Sequence, residues 1–224
     1  MQRSLFPLPR KGERTTMPRL VIISDTHGPH RSLTLPDGDI LIHAGDITEH
    51  GTLAAVQAFD ECLGQFPHTY KIVIAGNHDF CFEDESAEAQ SLLTNATYLQ
   101  DQAIEIMGVK FFGSPWTPEF FNWAFMRPRG EEMRTVWEQV PADTDVLISH
   151  GPPKGIFDLT YAGENAGCDE LLAAVREIMP KFHIFGHIHE GRGVKRGKDT
   201  TFLNASSVSP DYRQIYPPYV VEVD

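Results

Sequence analysis

Five short apolar runs each end in polar residues, and this pattern predicts a series of buried strands. The runs are RLVIISDTHG (19–28), DILIHAGD (39–46), KIVIAGNHD (71–79), DVLISHGPP (145–153) and FHIFGHIHEG (182–191). Near-continuous apolar runs without alternation are typical of strands that are covered on both faces. Four weaker runs, TYLQD, AIEIMGVKFFGS, TTFLNAS and YVVEV, predict further strands, the last two in a sheet near the C-terminus.

Three segments between these runs have apolar residues at three- and four-residue spacing, which predicts amphipathic helices. The segments are residues 52–66, 131–140 and 168–179. Thr52 is the expected N-cap of the first helix, and Pro180 ends the third. Strands that alternate with helices are typical of an α/β fold. We therefore expect a single domain over residues 19–224, preceded by a basic, flexible extension over residues 1–18.

The composition is that of an ordinary globular protein, with 41% hydrophobic and 22% charged residues in a chain of 224. The formal net charge is −12, although residues 1–19 carry five Lys and Arg against one Glu. An acidic body repels polyanions, which disfavours binding of extended nucleic acid.

The chain gives no sign of secretion or of membrane insertion. Its three cysteines, Cys62, Cys81 and Cys168, form no C-x-x-C pair, and no secretory signal is visible. No apolar run approaches the ~20 residues that span a bilayer. We therefore expect reduced thiols, a cytoplasmic protein and no membrane association.

Each of the five strongest strands ends in side chains that bind metals. These are Asp25 and His27, Asp46, Asn77 and His78, His150, and His187 and His189. Ligands cluster at the carboxyl ends of strands in α/β sheets, so we expect these groups to form one site. Carboxylate, imidazole and amide oxygen suit Mn, Fe, Zn or Ni rather than a thiolate-bound metal. Eight such groups exceed what one ion requires, whereas two ions about 3.5–4 Å apart would use them.

In chain order, the motifs D-x-H, G-D-x-x, G-N-H-D, H-G and G-H-x-H over residues 25–189 resemble the calcineurin-like metallophosphoesterase superfamily. The resemblance implies an α/β fold of four layers, in which two mixed β-sheets pack together and α-helices flank them. Longer stretches such as SPWTPEFFNWAFMRPRG and FGHIHEGRG are similar to the metallophosphoesterase-domain-containing (MPPED) group of that superfamily.

The resemblance also implies a role for each metal-binding residue. It assigns Asp25, His27 and His189 to a first divalent cation, Asn77, His150 and His187 to a second, and Asp46 to both. Mn is the expected cation, with Fe, Zn, Ni or Mg as alternatives. Some animal members of the MPPED group have glycine at the position of His187, so the histidine here implies a complete, active site.

The same resemblance implies hydrolysis of a small phosphodiester or nucleotide, including cyclic nucleotides. A hydroxide bridging the two ions would attack in line with the leaving oxygen, which His78 would stabilise or protonate. The segment GDITEHG has Glu49 and His50 where protein Ser/Thr phosphatases and symmetrical dinucleoside tetraphosphatases have Asp and Arg, which disfavours those activities. A phosphomonoesterase or pyrophosphatase, and a non-catalytic scaffold on the same fold, are the alternatives. A homodimer is compatible with the sequence.

Further contacts with the substrate are predicted. Asn77 and His78 would contact it, as would Arg192. The aromatic loop over residues 114–130 would either stack on a base, with Arg127 or Arg129 near phosphate, or close the edge of the core; its rings are Trp116, Phe120, Phe121, Trp123 and Phe125. Glu49 would either hydrogen-bond His78 and hold its tautomer, as a catalytic partner, or remain a solvated carboxylate.

Several polar residues match no motif position and are interpreted as structural. They are His30, His43, His50, His68 and His183, taken as surface or core residues, Asn204, taken to pack or hydrogen-bond near the site in a structural role, and Asp79, taken to orient a loop.

Overall fold

The computed structural model describes residues 17–28, 30–213 and 215–224, so the predicted extension lies outside it apart from Met17 and Pro18. The strands are β1 (Arg19–Ile23), β2 (Ile40–Ala44), β3 (Tyr70–Ile74), β4 (Thr97–Tyr98), β5 (Gln102–Ile106), β6 (Val109–Ser114), β7 (Thr117–Pro118), β8 (Met126–Arg127), β9 (Val146–Ser149), β10 (Phe182–Phe185), β11 (Gly193–Arg196), β12 (Thr201–Asn204) and β13 (Tyr219–Glu222). The α-helices are α1 (Leu53–Leu63), α2 (Cys81–Asp84), α3 (Ser86–Leu92), α4 (Glu131–Trp137) and α5 (Asp169–Ile178).

Two mixed sheets contain most of these strands. The first sheet has the order β13-β1-β2-β3-β4, and the second has the order β11-β12-β10-β9-β6-β5. In the first sheet β1, β2 and β3 run parallel, and β13 is antiparallel to β1. In the second, β6, β9, β10 and β12 run parallel, with antiparallel strands at both edges. In each sheet, the strands that carry the polar residues therefore all finish at the same end of the sheet.

Strand β1 shows why its sequence is a continuous apolar run. Leu20 and Ile22 belong to the core between the two sheets, whereas Val21 and Ile23 pack in a second core with α1 and α3. All four side chains are buried because successive residues of a strand point to opposite faces and both faces are covered. The prediction of strands that are buried on both faces is confirmed.

Three apolar cores separate four layers. The first core lies between the sheets, the second joins the first sheet to α1, α2 and α3, and the third joins the second sheet to α4 and α5. The order of the layers is therefore helices, sheet, sheet, helices. This arrangement confirms the predicted α/β sandwich.

The predicted helices form, with boundaries set by local contacts. Thr52 is the N-cap of α1, and its hydroxyl accepts a hydrogen bond from the Ala55 amide at 3.3 Å. Helix α5 begins one residue later than predicted, and Met179 ends it in a left-handed conformation (φ 53°) before Pro180. Helices α2 and α3 were not predicted, because the acidic segment that forms them offers few apolar residues in a helical period.

Two expectations concern the whole chain. Among the described residues, no disulfide joins Cys62, Cys81 and Cys168, and all three are buried. None of the helices that the structure describes combines the length and apolar character needed to cross a membrane.

Candidate metal centre

The eight predicted side chains meet where the carboxyl ends of the strands of the two sheets lie next to each other. The first sheet supplies Asp25, His27, Asp46, Asn77 and His78, and the second sheet supplies His150, His187 and His189. A bridge between Ser24 and Ser206 joins the sheets directly behind the site. Residues more than 160 positions apart in sequence are therefore in contact.

A first group consists of Asp25, His27 and His189, each of which offers one ligand atom within 4.8 Å of the others. The Nε2 atoms of His27 and His189 are 3.4 Å apart, and His189 Nε2 is 3.6 Å from Asp25 Oδ1. All three residues are buried. Two imidazole nitrogens and a carboxylate oxygen that converge in this way form an arrangement that suits a divalent cation.

A second group consists of Asp46, His150 and His187, again with ligand atoms within 4.8 Å. His150 Nε2 lies 3.3 Å from Asp46 Oδ2 and 2.9 Å from Asn77 Oδ1, so the Asn77 amide belongs to this group. His150 Nδ1 is 3.0 Å from the Ala44 carbonyl, which can only accept, so Nδ1 donates and Nε2 is directed toward the cluster.

Asp46 is shared by both groups. Its Oδ2 atom lies 3.7 Å from His27 Nε2 on one side and 3.3 Å from His150 Nε2 on the other. Its Oδ1 atom accepts a hydrogen bond from the His78 amide at 2.8 Å. One carboxylate oxygen between two groups of ligands is the geometry that a residue bridging two cations requires.

The electrostatics of the cluster require positive charge. Burial alone would raise the carboxyl pKa values, but the neighbouring His189 holds the pKa of Asp25 well below its usual range, and His150 does the same for Asp46. Burial disfavours charge on His150 as well, yet Asp46 outweighs it and raises the pKa of His150 to about 9. Burial, with His150 nearby, lowers the pKa of His187 to about 3. Two buried, ionised carboxylates thus face imidazoles, and the positive charge that such buried carboxylates need can come from protonated histidines or from a bound cation.

Polar side chains behind the ligands hold the loops that carry them. The Ser206 hydroxyl donates to Asp25 Oδ2 at 2.9 Å, and Asn204 Nδ2 donates to the Ile188 carbonyl at 2.7 Å. The Asp79 carboxylate accepts hydrogen bonds from the amides of Thr48 and Gly76, which agrees with its predicted role in orienting a loop. The contact of Asn204 agrees with the expectation that it packs or hydrogen-bonds near the site. The sequence analysis does not propose Ser206, for which the polar ending of the TTFLNASS run is the signal.

The histidines outside the motifs are mostly internal. His30, His43, His68 and His183 are buried, and the His50 side chain is 80% exposed. The Thr26 hydroxyl is 2.9 Å from His30 Nδ1 and 2.9 Å from His43 Nε2, so both rings brace the segment between Asp25 and His27.

His78 is held by the main chain of Glu49 and not by its side chain. His78 Nδ1 lies 2.9 Å from the Glu49 carbonyl oxygen, whereas the Glu49 carboxylate is 69% exposed and faces His50. Of the two alternatives for Glu49, the structure has the solvated carboxylate, because the loop turns this side chain toward solvent. Since the carbonyl can only accept, Nδ1 carries a proton and Nε2 is the atom free to act on a ligand.

Two adjoining cavities open at the cluster. The first, of about 210 Å³, is lined by Asp46, Asn77, His78, His187 and His189, together with Phe120, Trp123, Glu190, Pro210 and Tyr212. The second, of about 360 Å³, is lined by His27, Glu49, His50, His78, Phe80, Asn122, Trp123 and Tyr212. We call them the ligand cavity and the side cavity. His78, Trp123 and Tyr212 line both.

Trp116 and Arg192 line neither cavity, and Trp116 instead packs against two of the apolar cores, which is the other alternative expected for it. The Trp116 indole donates to Asp101 Oδ2 at 2.9 Å and its ring packs under the Arg127 guanidinium at 4.0 Å. The Arg192 guanidinium donates to the Ser206 and Pro217 carbonyls at 2.6 Å each. Both polar groups are already satisfied within the protein, which is why they do not reach the site.

Of the loop aromatics proposed to face substrate, Trp123 stands beside the cluster, and Tyr212, which was not proposed, stands there with it. Trp123 comes from the same aromatic loop, and its ring lies 4.3 Å from that of His78. Tyr212 stands beside His27 and His189, with ring centroids 5.1 and 5.2 Å away. Tyr212 follows the run TTFLNASSVSP and matches no motif, so only the folded chain reveals its position.

Comparisons with known proteins show which family and fold the chain is similar to. The family model described as calcineurin-like phosphoesterase matches residues 18–191. The chain is 41% identical to human metallophosphoesterase domain-containing protein 1, over 92% of this chain and 71% of that protein. It is 43% identical to a UPF0046 protein of Caenorhabditis elegans, over 84% of this chain and 69% of the relative. The fold resembles TT1561 of Thermus thermophilus, with a TM-score of 0.59 and 13% identity, covering 93% of this chain and all of that one.

Proposed function

The chain belongs to the calcineurin-like phosphoesterase family, and from that premise we propose that it is a dinuclear metal-dependent phosphodiesterase of small phosphodiesters, cyclic nucleotides among them. The observation that carries the proposal is the position of Asp46 Oδ2, which lies 3.7 Å from His27 Nε2 and 3.3 Å from His150 Nε2. A single carboxylate between two sets of ligands has a ready explanation if two cations bind there.

The donor set fits two divalent cations. Asp25, His27 and His189 would hold one, Asn77, His150 and His187 would hold the other, and Asp46 would contact both. When bound, such cations supply positive charge for a phosphate group and lower the pKa of water near it. Among the described residues that line the two cavities there is no Lys or Arg that would compete for the carboxylates.

His78 is the residue of the chain that we propose to act on the leaving group. Its backbone amide is fixed by Asp46 Oδ1, and its Nδ1 is fixed by the Glu49 carbonyl. The ring therefore presents Nε2, which in the imidazolium form can donate a proton to a leaving oxygen. Glu49 supports the reaction through its main chain in this proposal.

The charge of the cavities favours a diester over a monoester or a pyrophosphate. Besides the predicted ligand Asp46, their lining contains the acidic residues Glu49 and Glu190, and no Lys or Arg of the described part of the chain lines them. A phosphodiester has one negative charge, whereas monoesters and pyrophosphates have more, so the diester meets the least repulsion from these carboxylates.

The test compares two chromogenic substrates on one protein. Protein loaded with Mn²⁺ should hydrolyse bis-p-nitrophenyl phosphate faster than p-nitrophenyl phosphate. Asp46→Asn should lower the diester rate by more than the ~100-fold that loss of an outer contact costs, because the shared ligand is weakened. Asp143→Asn, at a 75% exposed side chain outside the site, is the control and should keep the full rate.

The other outcomes each identify an alternative. A faster rate on the monoester would indicate a phosphomonoesterase, and bound metal without turnover of either ester would indicate a scaffold. An unchanged rate in Asp46→Asn would refute the shared-ligand site. Manganese as the cation, the cytoplasm as the compartment and a homodimer stay predictions from the sequence.

A further inference from the structure

A continuous series of rings runs along the side cavity and into the ligand cavity. In order, the rings belong to Phe80, Trp123, His78, His27, Tyr212 and His189. Consecutive ring centroids are 6.2, 4.3, 4.5, 5.1 and 5.2 Å apart. These separations are mostly within the 4.5–7 Å range in which aromatic rings attract one another. The chain therefore presents a nearly unbroken aromatic surface that ends at two of the predicted metal ligands.

Three of the side chains on this surface, Phe80, Trp123 and Tyr212, are at least partly open to solvent, whereas His27 and His189 are buried. Tyr212 is 54% exposed, and Trp123 and Phe80 are half-buried. Large exposed apolar groups gathered around one cavity mark a binding surface more often than a random part of the protein exterior. The surface is therefore available to a ligand.

His78 relates this surface to the ester bond. His78 lines both cavities. If the leaving oxygen of a diester contacts His78 Nε2, its phosphate would lie in the ligand cavity and the carbon group attached to that oxygen would lie in the side cavity. The side cavity thus lies where the leaving arm of a diester would extend.

We propose that the side cavity binds a flat, uncharged aromatic group on the leaving arm of the substrate, with Trp123 and Tyr212 as the specificity-determining residues. This inference rests on the proposed phosphodiesterase function. A flat ring can contact the faces and edges of Trp123, Phe80 and Tyr212 at ordinary stacking distances. Glu49 on the same cavity disfavours a second anionic group on that arm.

The experiment measures binding and does not depend on turnover. The probes are the monomethyl esters of phenylphosphonate and cyclohexylphosphonate, which have the same charge and similar size but differ in flatness and aromaticity. Calorimetric titration of Mn²⁺-loaded protein should give a lower Kd for the phenyl ligand, by about three- to tenfold, because only the aromatic ring stacks. A cavity that is merely apolar would bind the cyclohexyl ligand equally well or better.

Three variants locate the effect. Trp123→Ala and Tyr212→Ala should each bring the two Kd values close together, and Tyr212→Phe should keep the preference because the ring remains. Tyr161→Ala is the control, since Tyr161 is 92% exposed and lines neither cavity. Circular dichroism and thermal unfolding identify any variant that fails to fold, and the two alanine variants on different chain segments test the idea independently.

The results separate this inference from the proposed function. Equal Kd values for the two ligands in the unaltered protein, or a phenyl preference that survives both alanine variants, would overturn the aromatic site even if the protein hydrolyses diesters. A phenyl preference lost in both variants supports the site even if bis-p-nitrophenyl phosphate is not hydrolysed, in which case the proposed function alone fails.

Discussion

At Asp25, His27, Asp46 and His187 the backbone has a positive φ, between 46° and 68°. This left-handed conformation costs an L-residue roughly 1–2 kcal/mol because the side chain crowds the following carbonyl. The conformation turns the chain sharply out of each strand, so that the side chain points into the site. Hydrogen bonds hold it there, including one from the His187 amide to Asp25 Oδ1 at 2.9 Å. Strain of this kind gathers at functional sites, where the surrounding structure maintains it.

Gly186 shows how closely the backbone approaches a ligand. A Cβ atom at this position would lie 2.0 Å from Asp25 Oδ2 and 2.3 Å from Ser24 Oγ. We predict that Gly186→Ala displaces the Asp25 carboxylate, lowers the unfolding free energy by about 1–3 kcal/mol and reduces the amount of bound Mn²⁺. Elemental analysis and thermal unfolding measure the two effects.

The matched control for Gly186 is Gly163→Ala. Gly163 has a φ of +82°, and nothing lies within 4 Å of the added Cβ. This variant should lose stability through backbone strain alone, about 1–2 kcal/mol, and keep its metal content. Equal metal content in the two variants would show that Gly186 does not protect the position of Asp25.

Among the elements, the short strand β12 and the residues after it hold ligand-bearing loops of both sheets in place. It lies beside β10 in the second sheet, and the residues after it cross to β1 in the first sheet through the Ser24–Ser206 bridge. From there Asn204 holds the loop between His187 and His189, and Ser206 holds Asp25. One short segment therefore fixes ligands that come from both sheets.

Ser206 should increase the affinity with which Asp25, His27 and His189 bind a metal ion. Its hydroxyl donates a hydrogen bond to Asp25 Oδ2, while Asp25 Oδ1 is the oxygen nearer His189. We predict that Ser206→Ala weakens binding of Mn²⁺ to the metal-free protein by about tenfold, because the carboxylate loses the contact that orients it. Calorimetric titration with Mn²⁺ measures the change.

Two further variants make the Ser206 measurement specific. Ser206→Thr retains a hydroxyl and should restore most of the affinity. Ser207 is also buried, but its hydroxyl accepts only a long bond of 3.4 Å from the Ser24 amide, so Ser207→Ala should bind Mn²⁺ normally. Similar losses of affinity in the Ser206 and Ser207 alanine variants would contradict a specific role for Ser206.

Over the whole molecule, neutral histidines are built into the interior of both sheets. His43 lies in β2 and His183 in β10, and burial lowers the pKa of each to about 3. His183 Nε2 is 2.8 Å from the Ser149 hydroxyl, so the neutral ring is partnered on that side. An imidazole with a depressed pKa excludes a proton that the unfolded chain accepts near pH 6.5.

The stability of the protein should therefore fall in acid. Below about pH 6.5 the unfolded chain binds a proton at position 183 that the folded chain refuses, so this residue removes roughly 1.4 kcal/mol of stability per pH unit as the pH falls toward the folded pKa. We predict that His183→Gln makes the unfolding free energy less dependent on pH between 6.5 and 5. Urea unfolding in the presence of EDTA measures the slope without a contribution from bound metal.

The control for His183 is His50→Gln, at an 80% exposed side chain. An exposed imidazole titrates alike in the folded and unfolded chain, so this variant should keep the slope of the unaltered protein. If His183→Gln keeps that slope too, burial of a neutral His183 is not a source of the acid sensitivity.

The sequence by itself determined most of the strands, the α/β class, the helix cap at Thr52 and the set of residues that meets at the strand ends. It could do so because burial on both faces leaves continuous apolar runs, and because polar residues that end such runs are conspicuous. It did not predict β7, β8 or β11, and it expected β12 and β13 in one sheet, whereas they lie in different sheets. Helices α2 and α3 escaped prediction because their segment has few apolar residues to form a pattern.

Only the tertiary structure decided which side chains stand beside the cluster. Trp116 and Trp123 belong to the same aromatic loop, but Trp116 donates to Asp101 while Trp123 packs against His78. Tyr212 and Ser206 reach the site because the C-terminal segment crosses between the sheets. Contacts of this kind depend on distances between segments far apart in the chain, and a local pattern of polar and apolar residues contains no information about those distances.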